Sequence, residues 1–282
     1  MIRVGIGLPT STPGTDRDVV LDWARRADTG PFASLGVIDR LVYECWEPLA
    51  ALAACAAVTG RARLVTMIVI GPLRPTALLA KQAATVDALS AGRLVLGLGL
   101  GARHDDYAAA GVAHNGRGDA LTRQLVELRQ HWEGTVVGPR PIQPDGPALL
   151  VGGGGSAAFA RAACHADGYV HGGGPPRAFA GAAARARAAW VDAGRPGAPQ
   201  LWGQAYYALG DRATTEAGAG YLRDYYRFTG GFEERIAAGS LTTPSAVKDL
   251  VRGYDEEGCE DLVLLPTVSR PDQLDRLADV LT

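Results

Sequence analysis

The sequence has no surplus of either charge: 28 Lys+Arg stand against 30 Asp+Glu, a net of -2. That balance removes the electrostatic reason to expect nucleic acid or an anionic membrane as a partner. No apolar run reaches about 18 residues, so no transmembrane helix is expected. The opening Met1-Ile2-Arg3-Val4-Gly5-Ile6-Gly7 lacks a basic region, a long apolar run and a small-residue cleavage site. No signal peptide is expected. Cysteine is scarce: Cys45, Cys55, Cys164 and Cys259 form no CxxC pair, and most sit in Ala-rich helical stretches or near an apolar run. They read as reduced, buried thiols of a cytoplasmic protein. There is no GxSxG, no internal repeat and no linker. His104-Asp105-Asp106 holds ligand-type side chains, but adjacent residues do not share a helical face. It reads as a short solvated helix, and no metal site is expected. Against these absences stand 282 residues with 47% hydrophobic and 21% charged content, which argues against disorder. A chain this long can bury roughly three quarters of its unfolded surface.

Short runs apolar on both faces recur along the chain: Arg3 to Leu8, Ala33 to Ile38, Leu64 to Ile70, Leu94 to Leu100, Ala148 to Val151, Gly168 to Val170, Leu201 to Leu209 and Leu262 to Leu265. Such runs suit parallel strands covered on both sides. Between them lie faces with helical spacing, such as Val20, Trp23, Ala24 and Ala27, or Leu121, Leu125, Leu128 and Trp132. Thr243-Pro244 predicts a helix start. Thr15 with Asp18 resembles a capping box. Gly92, Gly134, Gly194 and Gly258 sit where a left-handed residue ends a helix. Eight strand candidates alternating with helices predict an α/β fold, a (β/α)8 TIM barrel of one domain over 1-282, with a helical insertion at roughly 211-240. An open doubly wound sheet is the alternative.

Glycine is the abundant residue, at 37 positions. Gly97, Gly99 and Gly101 alternate at the end of the fourth strand, on one strand face, which marks close approach of a ligand or another backbone. A Rossmann reading fails, because the spacing is GxGxG and no acidic residue ends a following strand about 20 residues on. Gly152 to Gly155 and Ser156 follow the fifth strand and open a helix. Backbone amides, a helix N-terminus and a hydroxyl converging on one point suit a phosphate, with Ser156 as N-cap or ligand contact. His171 and Gly172 to Gly174 follow the sixth strand, where barrel enzymes build chemistry. Tyr206 and Gln204 share one face of the seventh strand, opposite Tyr207.

Four segments resemble the luciferase-like flavin-dependent oxidoreductase superfamily: Arg61 to Arg93, its continuation to Val112, Leu149 to Val170, and Asp261 to Pro266. The run LLAKQAATVDALSAGRLVLGLG is the most specific. The resemblance implies a bacterial-luciferase-like barrel using FMN or the deazaflavin coenzyme F-420 for monooxygenation or hydride transfer on a small organic substrate. It implies a cofactor phosphate on Gly153, Gly154, Gly155 and Ser156, and a ring beside Gly97, Gly99 and Gly101. It also implies a backbone bulge at Met67, Ile68, Val69 and Ile70 against the ring's back face, where a non-proline cis peptide would fit. Relatives are dimers in many cases, and the monooxygenase form implies a separate flavin reductase. After the second strand, luciferases carry a catalytic histidine and deazaflavin enzymes Asp then His; here stand Asp39 and Arg40. Arg40 cannot act as a base and would bind an anion or orient a ligand. Asp39, Arg40, His171 and Tyr206 are the catalytic candidates, and Arg74 the candidate counter-charge for an anionic cofactor tail. The alternatives are a non-catalytic flavin-binding protein and a non-flavin barrel enzyme acting on a phosphorylated substrate.

Overall fold

A computed structural model describes residues 1–282. The strands are β1 (Arg3–Gly7), β2 (Ser34–Val37), β3 (Arg63–Thr66), β4 (Val69–Ile70), β5 (Leu94–Gly99), β6 (Ala148–Gly152), β7 (Gly168–His171), β8 (Gln200–Tyr207) and β9 (Asp261–Pro266). β3 and β4 are two pieces of one barrel strand, interrupted at Met67 and Ile68. Every pairing is parallel. Ile6 lies beside Leu35 on β2, and Val4 beside Leu262 on β9. Leu64 on β3 pairs with Leu94 on β5, and Val69 on β4 with Leu98 on β5. Those last pairings close the ring, so the chain forms an eight-stranded TIM barrel rather than an open doubly wound sheet.

The alternation of side chains explains why each strand is apolar on both faces. Leu64, Leu94, Leu96, Leu149, Leu262 and Leu264 face the helices in the larger core. Val65, Val95, Leu150, Val170, Val263 and Leu265 point inward to a smaller core within the barrel. Burying each of these side chains contributes roughly 1.5–3 kcal/mol. At the N-terminal end of the strands, fully buried Asp261 accepts from Arg3 (2.7 Å) and pairs with Arg63, whose guanidinium lies over the Trp202 ring. That end is occupied by a structural ion cluster, and the opposite end carries the open cavities.

Helix ends follow local chemistry, with two corrections. Asp16, not Thr15, caps α1 (Arg17–Thr29), its carboxylate accepting from Val19 N; Thr15 instead donates to Pro9 O. Gly134 ends α5 (Arg117–Glu133) at φ -75°, whereas Gly92, Gly194 and Gly258 are left-handed as expected. Of the four thiols expected to be buried, Cys55 and Cys259 are, whereas Cys45 is half-buried and Cys164 exposed. The segment after β8 forms α8 (Arg212–Tyr226) and α9 (Glu233–Ala238), ahead of α10 (Pro244–Glu256), which Thr243 caps. No helix is long and apolar enough to cross a membrane.

Candidate active site

The floor of the site is the break between β3 and β4, and the glycines of β5 make it fit. The Met67–Ile68 peptide is cis, with no proline involved. Val95, Gly97 and Gly99 lie on the inner face of β5, so the upper half of that face has no side chain. A Cβ at Gly97 would stand 2.2 Å from the Thr66 carbonyl, and one at Gly99 2.5 Å from Ile68 Cδ1. Thr66 Oγ1 donates to Gly97 O at 2.8 Å. Gly97 is therefore occupied by backbone and lies behind the site. Gly99, Gly101, Met67 and Ile68 line a cavity of about 500 Å³. Val69 does not: it is fully buried in the helix-facing core.

The opposite wall is the loop after β6. Gly152 to Gly155 line the same cavity, together with Ala157, Ala158 and Arg161 of α6 (Ser156–His165). Gly153 has φ +142°, and a Cβ there would also meet Ala158 at 2.9 Å, so only glycine fits. At Gly154 and Gly155 a Cβ would meet nothing within 4 Å; their freedom opens the loop rather than relieving a clash. Tyr169 Oη donates to Gly153 O at 2.8 Å, and Arg185 Nη1 to Gly154 O at 3.2 Å, holding the loop from behind. The cap of α6 is Gly155; Ser156 is the first helical residue, and its side chain makes no capping bond.

Arg161 was not among the expected residues. It is 8% exposed and forms no ion pair. Its Nε donates to Thr122 Oγ1 (2.9 Å) and its Nη2 to Gly118 O (3.1 Å), both on α5. Burial holds its pKa below the ordinary guanidinium value, with the charge of Asp119 pulling in the other direction. A buried cation without a carboxylate, beside a helix N-terminus and an open glycine loop, is the electrostatic signature of an anion site. A signal was present: Arg161 lies one helical turn past Ala157, on the face that carries Ala158 to the cavity.

Asp39, Arg40, Tyr206 and Gln204 meet in an adjoining cavity of about 170 Å³, which shares Met67, Ile68 and Gly101 with the first. Asp39 is not free. Its Oδ2 accepts from Ile70 N (2.8 Å) and Arg74 Nη1 (2.7 Å), and its Oδ1 from Arg74 Nη2 (3.1 Å). Arg74 also reaches Glu47 at 3.0 Å, so it braces β4 instead of meeting a cofactor tail. Arg40 donates through Nε to Asp106 (2.9 Å) and through Nη2 to Val42 O (2.8 Å), while its Nη1 has no hydrogen-bond partner. Asp106 is 1% exposed and also accepts from Leu41 N and Val42 N. The start of α4 (His104–Ala109) is thus an anchored element, not a solvated one.

The roof of this cavity is aromatic. Tyr206 and Tyr226 share a hydrogen bond of 2.7 Å between hydroxyls, with Tyr225 and Phe228 beside them. Burial pushes Tyr206 and Tyr225 well above the ordinary tyrosine value and raises Tyr226 as well, so all three stay protonated at neutral pH. Gln204 Nε2 donates to Gly172 O at 3.2 Å; a carbonyl can only accept, which fixes the amide. Its Oε1 then stands buried without a donor. His171 does not join these groups. It lines a separate cavity with Arg177 and Arg185, and burial lowers its pKa, the Gly173 backbone bond opposing.

The family model of the luciferase-like monooxygenases matches residues 2–263. An uncharacterised protein of Mycobacterium tuberculosis is 37% identical over 144 residues, 46% of this chain and 49% of that protein. Pyrimidine monooxygenase RutA of Cronobacter sakazakii is 32% identical over 171 residues, 53% of this chain and 50% of that protein. The chain thus spans about half the length of the curated relatives it matches. Among solved structures, an F420-dependent secondary alcohol dehydrogenase in complex with an F420-acetone adduct has a TM-score of 0.82 at 16% identity, over 99% of this chain and 98% of that one. The oxygenating constituent of 3,6-diketocamphane monooxygenase from Pseudomonas putida, in complex with FMN, has a TM-score of 0.75 at 17% identity, over 100% and 95%. Identities that low speak for the fold alone. The family match runs from β1 into β9, through every strand that builds the two walls of the site, and this chain belongs to the luciferase-like monooxygenase family.

Proposed function

We propose that this protein is an oxidoreductase that uses a reduced flavin-type cofactor, FMN or the deazaflavin F-420, on a small organic substrate. The observation that carries the reading is Arg161: a buried, carboxylate-free guanidinium at the mouth of an open glycine loop, in one cavity with the Met67–Ile68 floor. The residues present fit the group. The amides of Gly153 to Ser156 and Arg161 would receive its phosphate. Met67, Ile68, Gly99 and Gly101 offer an apolar support for a flat ring, and the buried Gln204 Oε1 offers an acceptor for a ring or substrate N–H.

The bound cofactor supplies hydride transfer or activation of O2. What the chain supplies is orientation and exclusion of water. Tyr206 and Tyr226, held protonated by burial, present a hydroxyl donor to a substrate oxygen. Arg40 holds permanent positive charge under the same roof, fixed by Asp106 and stacked on Tyr43 and Tyr225. Asp39 is a positioning residue, acting through Arg74 and Ile70 N on the floor. Ile, Met, Tyr and Phe make up about half the lining of the smaller cavity, and its charged members Asp39, Arg40, Arg103 and Asp106 are paired within the fold. That lining favours a compact, largely apolar substrate over a polyhydroxylated sugar phosphate. Anaerobic titration with FMN, reduced FMN and F-420 tests the reading. Binding in the micromolar range is expected for at least one; dissociation constants all above about 1 mM would end it.

A further inference from the structure

Beyond the glycine ridge lies a second basin that the phosphate site does not use. A cavity of about 570 Å³ shares Gly153, Gly154 and Gly172 with the main cavity and continues on the far side of the loop. Arg177, Arg185 and His171 line it, and no acidic residue does. Neither arginine forms an ion pair. Arg177 stands in the first turn of α7 (Pro176–Asp192), close to that helix's positive end. The geometry points to a tail subsite: the cofactor does not stop at its phosphate but runs over Gly153 and Gly154 into this basin, where Arg177 and Arg185 meet further carboxylates. This rests on the cofactor reading above and sharpens it toward the deazaflavin, whose phosphate is a diester continued by an oligoglutamate chain.

Two features select carboxylates over a nucleoside at the end of the tail. The rest of the lining is largely glycine and alanine, which leaves width for a flexible chain. The aromatic faces are also taken. The Arg185 guanidinium lies 4.4 Å over the Phe159 ring, and the other partner of Phe159 is Tyr169 at 4.7 Å, itself 2% exposed. Neither Phe159 nor Tyr169 keeps a free face on which a purine could stack.

The test compares matched ligands on the full chain at low salt. One pair is F-420 with its oligoglutamate tail against the same molecule cut back to its lactyl phosphodiester. The other is FAD against FMN. The tail is expected to tighten binding about tenfold, or ~1.4 kcal/mol. That advantage should shrink when salt is raised to about 0.5 M, because the basin is open to solvent. Arg177→Gln is expected to remove most of the advantage while leaving the cut-back molecule within about threefold. Arg177 is exposed and makes no hydrogen bond that the fold needs, so this variant should keep the native melting temperature. Equal affinities within the deazaflavin pair, a tail advantage that survives Arg177→Gln, or a larger gain for FAD over FMN would each overturn the tail subsite and leave the phosphate site standing. If none of the four ligands binds, the cofactor reading falls and the subsite falls with it.

Discussion

Replacing Arg161 by methionine separates affinity from stability. Methionine keeps most of the side-chain volume, so the packing between α5 and α6 survives. The change removes a guanidinium that is 8% exposed, carries no carboxylate and reaches Thr122 Oγ1 and Gly118 O. On the stability side two terms oppose. The charge-assisted bonds to α5 are lost, at roughly 1.5–3 kcal/mol, and the desolvation that depresses the Arg161 pKa is returned. Thr122 Oγ1 keeps its own bond to Gly118 O at 3.0 Å, so no polar atom there is orphaned. The net change should stay within about 1 kcal/mol, a shift of roughly 2–4 °C in melting temperature. On the affinity side there is no such cancellation. A phosphate loses a charge-assisted contact worth roughly 1.5–3 kcal/mol, which weakens binding between about tenfold and about 150-fold. Calorimetry on the cofactor and on the same ring system without its phosphate (riboflavin for FMN) reads the difference. The phosphate-free ligand should bind both proteins alike, and Arg161→Lys should recover part of the loss without restoring the planar fork. If the phosphate-free ligand weakens equally, Arg161 is structural; if neither weakens, the anion site lies elsewhere.

Gly154→Asp should fold normally, since its Cβ meets nothing within 4 Å, yet set a carboxylate beside the phosphate. Like charges about 6 Å apart at an effective dielectric of ~20 repel by roughly 3 kcal/mol, so about 100-fold weaker cofactor binding is expected, and Gly154→Asn as the neutral control should lose far less; equal loss in both variants would indict bulk instead of charge. Asp39→Ala leaves Arg74 with Glu47 alone and should destabilise by about 2–4 kcal/mol, partly recovered in Asp39→Ala/Arg74→Leu; a native melting curve with lost turnover would make the carboxylate catalytic instead. Alkaline unfolding should start near pH 10. The hydroxyls of Tyr206, Tyr221 and Tyr225 are raised well above the ordinary value by burial, so the unfolded chain releases protons there that the folded one keeps. Their stabilisation is complete below about pH 10 and falls by roughly 4 kcal/mol per pH unit above it; tyrosinate absorbance rising below pH 11 while circular dichroism stays native would contradict this.

The barrel was legible because its causes are local and periodic. Runs such as Leu94 to Leu98 are apolar at every position, and only a strand covered on both faces requires that. Tyr206 and Tyr207 divide between cavity and helix layer as a period of two demands. The break of one strand into β3 and β4 was expected only from family resemblance, since Met67, Ile68 and Val69 are ordinary apolar residues with no backbone signal of their own. The partners of charged groups were not legible at all. Asp39 and Arg74 are 35 positions apart, and Arg40 and Asp106 are 66 apart. Each reads alone as an available functional group, and each is already engaged in the fold.

Glycine shows the same limit from the other side. Gly97 and Gly154 are the same residue in equally suggestive runs, but a Cβ at one would strike the Thr66 carbonyl and at the other would enter open space. The first glycine is there because backbone approaches backbone; the second because nothing in the chain fills the place. Composition cannot distinguish them, and periodicity assigns only a face. What distinguishes them is the third dimension, and with it comes the residue that the glycine motif had not marked. Arg161 reaches the open side of the loop only because α5 holds it there through Thr122 and Gly118. The anion site is therefore a property of two helices and a loop together, and its strongest member lies outside the motif that first drew attention to it.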